Sequence, residues 1–241
     1  MRCAIVADIH GNLAALEAVL RDIEERGGCD QIWCLGDIVG YGPQPTECIA
    51  RIRQSGALCV AGNHDWAAIG KIPITDFNPD AAQACRWTSQ QLCREDVAYL
   101  DRLPLTEVSG EFTIVHGSPR EPIWEYVLST GIAEANLPFF RTRYCLIGHS
   151  HVPLAFEQRG KECLLKEMLS ELWLGEGRLL INPGSVGQPR DGDPRASYAI
   201  LDDGEGVVRY HRVPYEIAET QEKMVMAGLP LFLATRLSYG W

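Results

Sequence analysis

Five short apolar runs in this chain of 241 residues each lead into a histidine, an aspartate or both. The run at 3–7 leads to Asp8 and His10, and that at 31–35 to Asp37. The run at 57–61 leads to Asn63, His64 and Asp65, that at 112–115 to His116, and that at 144–147 to His149 and His151. Runs this short and apolar at consecutive positions fit strands buried on both faces. Helical patterns separate the first three. One starts at Leu13 with Asn12 as its cap, carries Leu16, Val19, Leu20 and Ile23 on one face, and stops at Gly27-Gly28; a second covers about residues 46–53. The order strand–helix–strand–helix–strand predicts a parallel sheet with helices packed on it. Ligands of open α/β sheets lie beyond the carboxyl ends of the strands, so five loops remote in sequence are expected to converge at one edge.

The rest of the chain divides by character. Residues 66–105 read as a helical excursion from the sheet; a helical stretch opens at Asn78-Pro79 and runs to about Leu103. A helical patch is expected near 132–137. Strands at 144–147, 179–181, 197–201 and 207–213, joined by short turns, predict a second sheet. Residues 215–238 read as helical, broken at Gly228 and Pro230. No repeat, low-complexity tract or linker interrupts the chain, so 1–241 is read as a single domain.

The clustered polar side chains are imidazoles, carboxylates and one amide, with no thiolate. That donor set suits manganese, iron, zinc, nickel or cobalt. Residues two apart in extended backbone point the same way, so Asp8 with His10, and His149 with His151, are expected to reach a common centre. The blocks Asp8-Ile9-His10, Gly36-Asp37-Ile38-Val39, Gly62-Asn63-His64-Asp65, His116-Gly117 and Gly148-His149-Ser150-His151, present in this order, resemble the calcineurin-like metallophosphoesterase signature. Asn182-Pro183-Gly184-Ser185-Val186-Gly187, followed by Pro189-Arg190, is similar to the turn of the small bacterial and archaeal phosphodiesterase branch. The likeness covers the chain to about residue 201.

The resemblance implies an α/β fold, a four-layer α/β/β/α sandwich with a helical insert around 66–105. It also implies two divalent metal ions, with manganese favoured. Asp8, His10, Asp37 and His151 would hold one, and Asp37, Asn63, His116 and His149 the other. Asp37 would bridge through both oxygens. His64 is carried over as a catalytic histidine that is not a ligand, held in orientation by Asp65. Two cations ~3.5–4 Å apart lower the pKa of a shared water from ~15.7 toward ~7, and the resulting hydroxide attacks phosphorus in line with the leaving group. His64 would protonate the leaving oxygen or stabilise its charge. The implied substrates are small phosphodiesters or nucleotides, with dinucleoside polyphosphates and phosphomonoesters as alternatives that the same metals serve. A protein phosphatase fits less well, because Gly62-Asn63-His64-Asp65-Trp66-Ala67 lacks the arginine usual beside that motif. A non-catalytic scaffold of the same fold would not need His64.

Lys and Arg number 22 against 32 Asp and Glu, a net charge of −10, which disfavours long nucleic acid as a partner but not a small phosphorylated substrate docked on cations. Nine cysteines, with no C-x-x-C pair, read as reduced thiols of a cytoplasmic protein. No run approaches the ~18 apolar residues of a membrane span, and the N-terminus shows no signal pattern. Arg120, Arg190 and Arg195 can each clamp a phosphate, but the ordinary place of an arginine is the solvated surface. The 182–187 turn is read as a tight turn, with phosphate contact as its alternative. Trp66, Trp87, Trp124 and Tyr126 read as core, with a stacking wall for a nucleobase as the alternative. His211 reads as structural. The apolar stretch 229–237 can cover the sheet or join two copies of the chain, and a homo-oligomer stays open.

Overall fold

The computed structural model describes residues 1–166 and 170–241. Strands β1 (Arg2–Val6), β2 (Gln31–Cys34) and β3 (Leu58–Cys59) run parallel, joined by helices α1 (Leu13–Glu25) and α2 (Pro45–Gln54). Asn12 caps α1 as expected, its Oδ1 accepting from the Ala15 amide at 3.2 Å. β3 is two residues long, shorter than its apolar run. β1 shows no polar alternation because both of its faces are covered. Ala4 and Val6 pack with Leu16, Val19 and Ile49 beneath the helices, while Cys3 and Ile5 pack with Ile114, Leu146 and Ile181 of a second sheet.

After β3 come α3 (Asn63–Ala68), α4 (Pro79–Gln91) and α5 (Arg94–Asp101). The helical stretch expected to about Leu103 is formed by two helices. Leu92 turns extended (ψ 130°), and the Cys93 amide donates to Asp96 Oδ2 at 3.1 Å to start a new helix. Next follow β4 (Thr106–Ser109), β5 (Phe112–Val115), α6 (Thr130–Asn136), β6 (Tyr144–Leu146), β7 (Leu154–Arg159), β8 (Glu162–Lys166), β9 (Glu171–Trp173), β10 (Leu179–Asn182), β11 (Ala196–Asp202) and β12 (Val207–Val213). The chain then forms α7 (Ile217–Met226) and α8 (Leu231–Thr235), broken where Gly228 and Pro230 stand.

Among the described residues the strands form two mixed sheets, ordered β3-β2-β1-β11-β12-β9 and β4-β5-β6-β10-β7-β8. With α1 and α2 outside the first sheet and α6 outside the second, this is the α/β/β/α sandwich that the resemblance implied. One expectation is corrected. Residues 197–201 and 207–213 do not belong to the second sheet; β11 pairs antiparallel with β1, from Arg2↔Asp202 to Ile5↔Ala199, and β12 follows it. Hydrophobicity could not separate the two placements, since both sheets have a covered inner face. β4, β7, β8 and β9 went unpredicted, because three of them are half-exposed strands carrying charged residues, as in Thr-Glu-Val-Ser and Glu-Leu-Trp. The C-terminal helices pack on α4 and on Tyr41 through Ala81, Ala84, Met224, Leu233 and Leu237. Among the described residues no helix is long and apolar enough to cross a membrane, and all nine cysteines are free.

Candidate metal centre

β1, β2 and β3 run parallel to one another, as do β5, β6 and β10, so their carboxyl ends meet at one edge of the sandwich. Asp8, His10, Asp37, Asn63, His64, Asp65, His116, His149 and His151 all stand there, none more than 4% exposed. The reason first given for their convergence is corrected. Asp8 and His10 lie beyond the end of β1, and His149 and His151 beyond β6; none is extended. All four, and Asp37, are non-glycine residues with positive φ, between 51° and 64°. Left-handed backbone of this kind carries strain of order 1–3 kcal/mol per residue and persists only where surroundings over-determine it.

Hydrogen bonds supply that determination. The Asp8 amide donates to the Gly36 carbonyl at 3.1 Å, and those of His10 and Gly11 to Asp37 and Ile38 at 2.9 Å. The 182–187 turn braces the same loop rather than offering itself to a phosphate. Its Val186 and Gly187 amides donate to Ala7 and Asp8, its Ser185 hydroxyl donates to the Asp8 carbonyl, and Asn182 Nδ2 reaches Gly148 at 2.7 Å. Close approach also fixes Gly62: a Cβ there would lie 2.0 Å from Asp37 Oδ1.

Each of four imidazoles ties one nitrogen to a backbone carbonyl. His10 Nδ1 reaches Val39 at 3.2 Å, His151 Nδ1 Gln188 at 2.6 Å, His116 Nδ1 Leu35 at 2.8 Å, and His149 Nε2 Trp124 at 3.3 Å. A carbonyl only accepts, so the tethered nitrogen carries the proton, and in a neutral ring the other nitrogen keeps its lone pair. Those other nitrogens face inward: His10 Nε2 and His151 Nε2 stand 3.0 Å apart, and His116 Nε2 and His149 Nδ1 3.1 Å apart. Facing lone pairs repel unless a cation or a proton lies between them. Asn63 Oδ1 is 3.2 Å from His116 Nε2. Asp37 Oδ2, buried without a hydrogen-bond partner, lies 3.6 Å from His10 Nε2 and 3.4 Å from His116 Nε2, between the two pairs. The other oxygen of Asp37 accepts from the His64 amide at 2.8 Å. Asp8 Oδ1 stands 3.5 Å from His151 Nε2.

Ligand atoms of Asp8, His10 and His151 lie within 4.8 Å of one another, as do those of Asp37, His116 and His149, and those of His10, Asp37 and His64. Nitrogen and oxygen donors, preset tautomers and an unpartnered carboxylate oxygen between the imidazole pairs fit two divalent cations. The electrostatics agree. Burial pushes Asp8 up to about 7, with the Asp37 charge adding and His116 opposing. Burial also acts to raise Asp37, but the charges of His116 and His64 outweigh it and hold that carboxyl far below its usual range. His116 reaches about 9 against its burial because Asp37 holds its proton. Burial drives His10, His149 and His151 well below the imidazole range. A proton on His116 does for Asp37 what a cation would do there, and a bound cation would take its place.

Asp65 does not orient His64 as expected. Its oxygens accept from the Val39 amide at 3.1 Å and the Gly62 amide at 2.9 Å, capping α3, while His64 Nδ1 is buried without a partner. Asp65 thus braces the start of the helix that carries His64. The His64 ring is fixed by packing, 4.3 Å from the Tyr41 ring and 4.8 Å from that of Phe77, and Gly40 (φ 95°) passes so close that a Cβ would meet Nδ1 at 2.5 Å. Burial lowers His64 to about 4.

Two further residues stand near the cluster, of which Tyr41 had no marker in the sequence and Arg190 was weighed as a phosphate clamp. Tyr41, also at positive φ, packs on His10 and His64. Arg190 was expected at the solvated surface; instead its Nη2 donates to Gln188 Oε1 at 2.9 Å, its Nε is buried without a partner, and its charge bears on Asp8, His10 and His64. Its place two residues after the Gln188 that tethers His151 was the available signal. Arg120 and Arg195 pair with Glu125 and Asp193 instead. Trp66 and Trp87 pack against the core, but Tyr126 stacks on His149 at 3.9 Å while 43% exposed, and Trp124, 36% exposed, meets Phe77 at 5.3 Å. His211 packs on Tyr198 in the β11–β12 hairpin, in no metal grouping.

Comparison with known proteins agrees with this geometry. A metallophosphoesterase of Sphaerobacter thermophilus superposes with a TM-score of 0.90 at 49% identity, covering 100% of both chains. An uncharacterized protein of Methanocaldococcus jannaschii is 42% identical over 243 residues, 98% of this chain and 97% of its own. A symmetrical bis(5'-nucleosyl)-tetraphosphatase of Psychromonas ingrahamii is 39% identical over 138 residues, which span 56% of this chain and 50% of that protein. The sequence model of the calcineurin-like phosphoesterase superfamily domain matches residues 1–206, and the chain belongs to that superfamily.

Proposed function

We propose that residues 1–241 act as one unit, a metal-dependent phosphoesterase that hydrolyses small phosphodiesters or nucleotides. The observation that carries this reading is the set of four imidazoles, each tethered by one nitrogen to a backbone carbonyl and turned by the other toward Asp8 or Asp37. Asp8, His10, Asp37 and His151 hold one cation, and Asp37, Asn63, His116 and His149 the other. The mixed nitrogen and oxygen donors make manganese the first candidate among manganese, iron, zinc, nickel and cobalt. Such a pair supplies an activated water as nucleophile and neutralises the phosphoryl oxygens.

The protein supplies the rest. The carbonyl tethers fix which nitrogen of each neutral ring carries the proton, so the inward nitrogens are the ones that offer a lone pair to a cation, and the strapped left-handed loops hold the carboxylates in place before substrate arrives. His64, lowered to about 4, is a neutral imidazole at neutral pH, so it serves the leaving oxygen as a hydrogen-bond donor rather than as a full acid. Tyr41 and Phe77 fix its ring and keep water from it. Arg190 offers planar donors to a phosphoryl oxygen. The nine free cysteines favour a reducing, cytoplasmic setting.

A specific observation favours a second reading, hydrolysis of dinucleoside polyphosphates. Tyr126 and Trp124 expose flat rings beside the cluster, where a nucleobase can stack, and symmetrical bis(5'-nucleosyl)-tetraphosphatase is what the partial relative is named.

The test strips the protein of metal and adds back Mn²⁺, Ni²⁺, Zn²⁺ or Mg²⁺, following bis-p-nitrophenyl phosphate, p-nitrophenyl phosphate and a dinucleoside tetraphosphate. Turnover should return with metal at two ions per chain. His64→Ala should keep both ions and lose on the order of 10²-fold in kcat, the low end for acid–base assistance. Failure to take up metal, together with no turnover on any of the three substrates, would end the proposal.

A further inference from the structure

Three of the four imidazole tethers end on carbonyls deep in the fold: Leu35 and Val39 are fully buried and Gln188 is 2% exposed. The fourth does not. His149 Nε2 reaches the Trp124 carbonyl at 3.3 Å, and Trp124 is 36% exposed on the 118–128 segment, outside every strand and helix. A carbonyl on a surface segment fixes a buried ring only if the segment is itself held.

The peptide whose carbonyl meets His149 joins Trp124 to Glu125, and the Glu125 side chain is only 16% exposed. Its Oε2 accepts from the Ser118 hydroxyl and from Asn136 Nδ2, both at 2.7 Å, and its Oε1 accepts from Arg120. Ser118 and Asn136 are fully buried. Ser118 Oγ accepts in turn from the Glu121 amide at 3.0 Å, and Asn136 Oδ1 from the Arg120 amide at 3.0 Å. One carboxylate therefore ties together the loop that leaves His116, helix α6 and the turn at Arg120 and Glu121. Burial acts to raise the Glu125 carboxyl, but hydrogen bonds from Arg120, Asn136 and Ser118 outweigh it and hold it below the usual carboxylate range. Hydrogen bonds to an ionised acceptor are the strong ones, and a buried hydroxyl and amide that lost theirs would each be left desolvated, so the segment has little freedom to shift.

We infer that Glu125 is a positioning residue for His149: by holding the Trp124 carbonyl against the ring, it sets how tightly the chain takes the cation assigned to Asp37, Asn63, His116 and His149. This deepens, and rests on, the two-cation reading above. Groups that hold the far nitrogen of a ligating imidazole orient the ring and raise its basicity. The two cations are then held unequally. His151 is tethered by Gln188, whose amide donates to the buried Ser185 Oγ at 2.8 Å in the turn that straps the end of β1, whereas His149 is tethered by a surface segment closed through a side chain. Glu125 stands between two exposed rings, Trp124 and Tyr126, that are free to vary while the carboxylate is not.

Calorimetric titration of the metal-stripped protein with Mn²⁺ tests this without turnover. The parent is compared with Glu125→Ala and with Glu125→Gln, which keeps one acceptor oxygen and serves if the alanine variant folds poorly. Glu157→Ala, which removes a partly buried carboxylate of β7 paired with Lys166, controls for a lost ion pair. In Glu125→Ala the weaker of the two ions should bind ~10–100-fold more weakly and the tighter one as in the parent. Glu125→Gln should lose less, and the control nothing. By electron paramagnetic resonance at two equivalents of Mn²⁺, the coupled pair of the parent should give way to single ions in Glu125→Ala. Excess Mn²⁺ should return the kcat of that variant toward the parent's, with KM for bis-p-nitrophenyl phosphate unchanged. A merely structural carboxylate would instead lower the denaturation midpoint and leave both affinities unchanged or reduce both alike, and either result overturns the inference. If the parent binds two ions and Glu125→Ala loses one, yet no phosphate ester is hydrolysed, the positioning role stands and the phosphoesterase reading falls.

Discussion

Asp8, His10, Asp37, His116, His149 and His151 form a floor in which no residue is more than 3% exposed, while Trp124 and Tyr126 at the mouth are 36% and 43% exposed. The floor stands on loops at the carboxyl ends of strands, in left-handed backbone at every one of these residues but His116, strapped by main-chain hydrogen bonds. The mouth comes from the 118–128 segment, the loop after Gln188 and the C-terminal helices. The difference is one of tolerance. A floor held by backbone geometry allows almost no substitution, because moving a donor by a fraction of an ångström forfeits a ligand. A mouth held by side-chain packing can change its substrate without disturbing the chemistry beneath. One superfamily can thereby keep a metal site and vary what reaches it.

The contrast can be broken most sharply at Asp37. Asp37→Asn removes the charge that stands between the two imidazole pairs. It should lower kcat/KM by on the order of 10³-fold or more, given the several kcal/mol that bound metals supply, with fewer than two ions per chain by elemental analysis. Two retained ions with parental turnover would show that the floor does not depend on its central carboxylate. A smaller effect is expected at Gly62. Gly62→Ala would press a Cβ to 2.0 Å from Asp37 Oδ1, whereas Gly131→Ala in α6 meets nothing within 4 Å. The first should destabilise by about 1–3 kcal/mol and weaken metal binding ~10–100-fold. The second should be neutral or slightly stabilising. Matching denaturation midpoints for the two would deny the floor its rigidity. The smallest effect belongs to the mouth. Tyr126→Ala should raise KM for a nucleotide substrate roughly fivefold, about 1 kcal/mol of stacking, and less for an ester with an aliphatic leaving group. An equal rise for both would make Tyr126 a support for His149 rather than a platform for a base.

How much of this was legible varies by residue. The five polar punctuation points were plain, because each follows an apolar run within a few positions and a buried strand leaves no other place for Asp or His. The Asn12 cap and the break near Gly228 and Pro230 were equally local. The start of α5 was not, since Cys93 and Asp96 make a weak cap inside a pattern that stayed helical. Asp65 was assigned to His64 from a motif, yet its oxygens serve the amides of Val39 and Gly62; adjacency in sequence says nothing about which donor a buried carboxylate will meet. Tyr41 was passed over because nothing local marks it, and Arg190, weighed as a phosphate clamp, was placed at the solvated surface because nothing local marks an arginine that will be part-buried beside the cluster.

The sequence by itself determined the donor set, the order of the loops that carry it, and the layered class of fold, for these rest on short-range pattern and on residue chemistry. Tertiary structure decided the left-handed turns that aim the donors, the sharing of β11 and β12 with the first sheet, and the approach of Arg190 to Tyr41. Each of these depends on hydrogen bonds or packing between segments more than 25 residues apart. Such contacts form only when both partners have somewhere to be, and neither partner alone records where the other will stand.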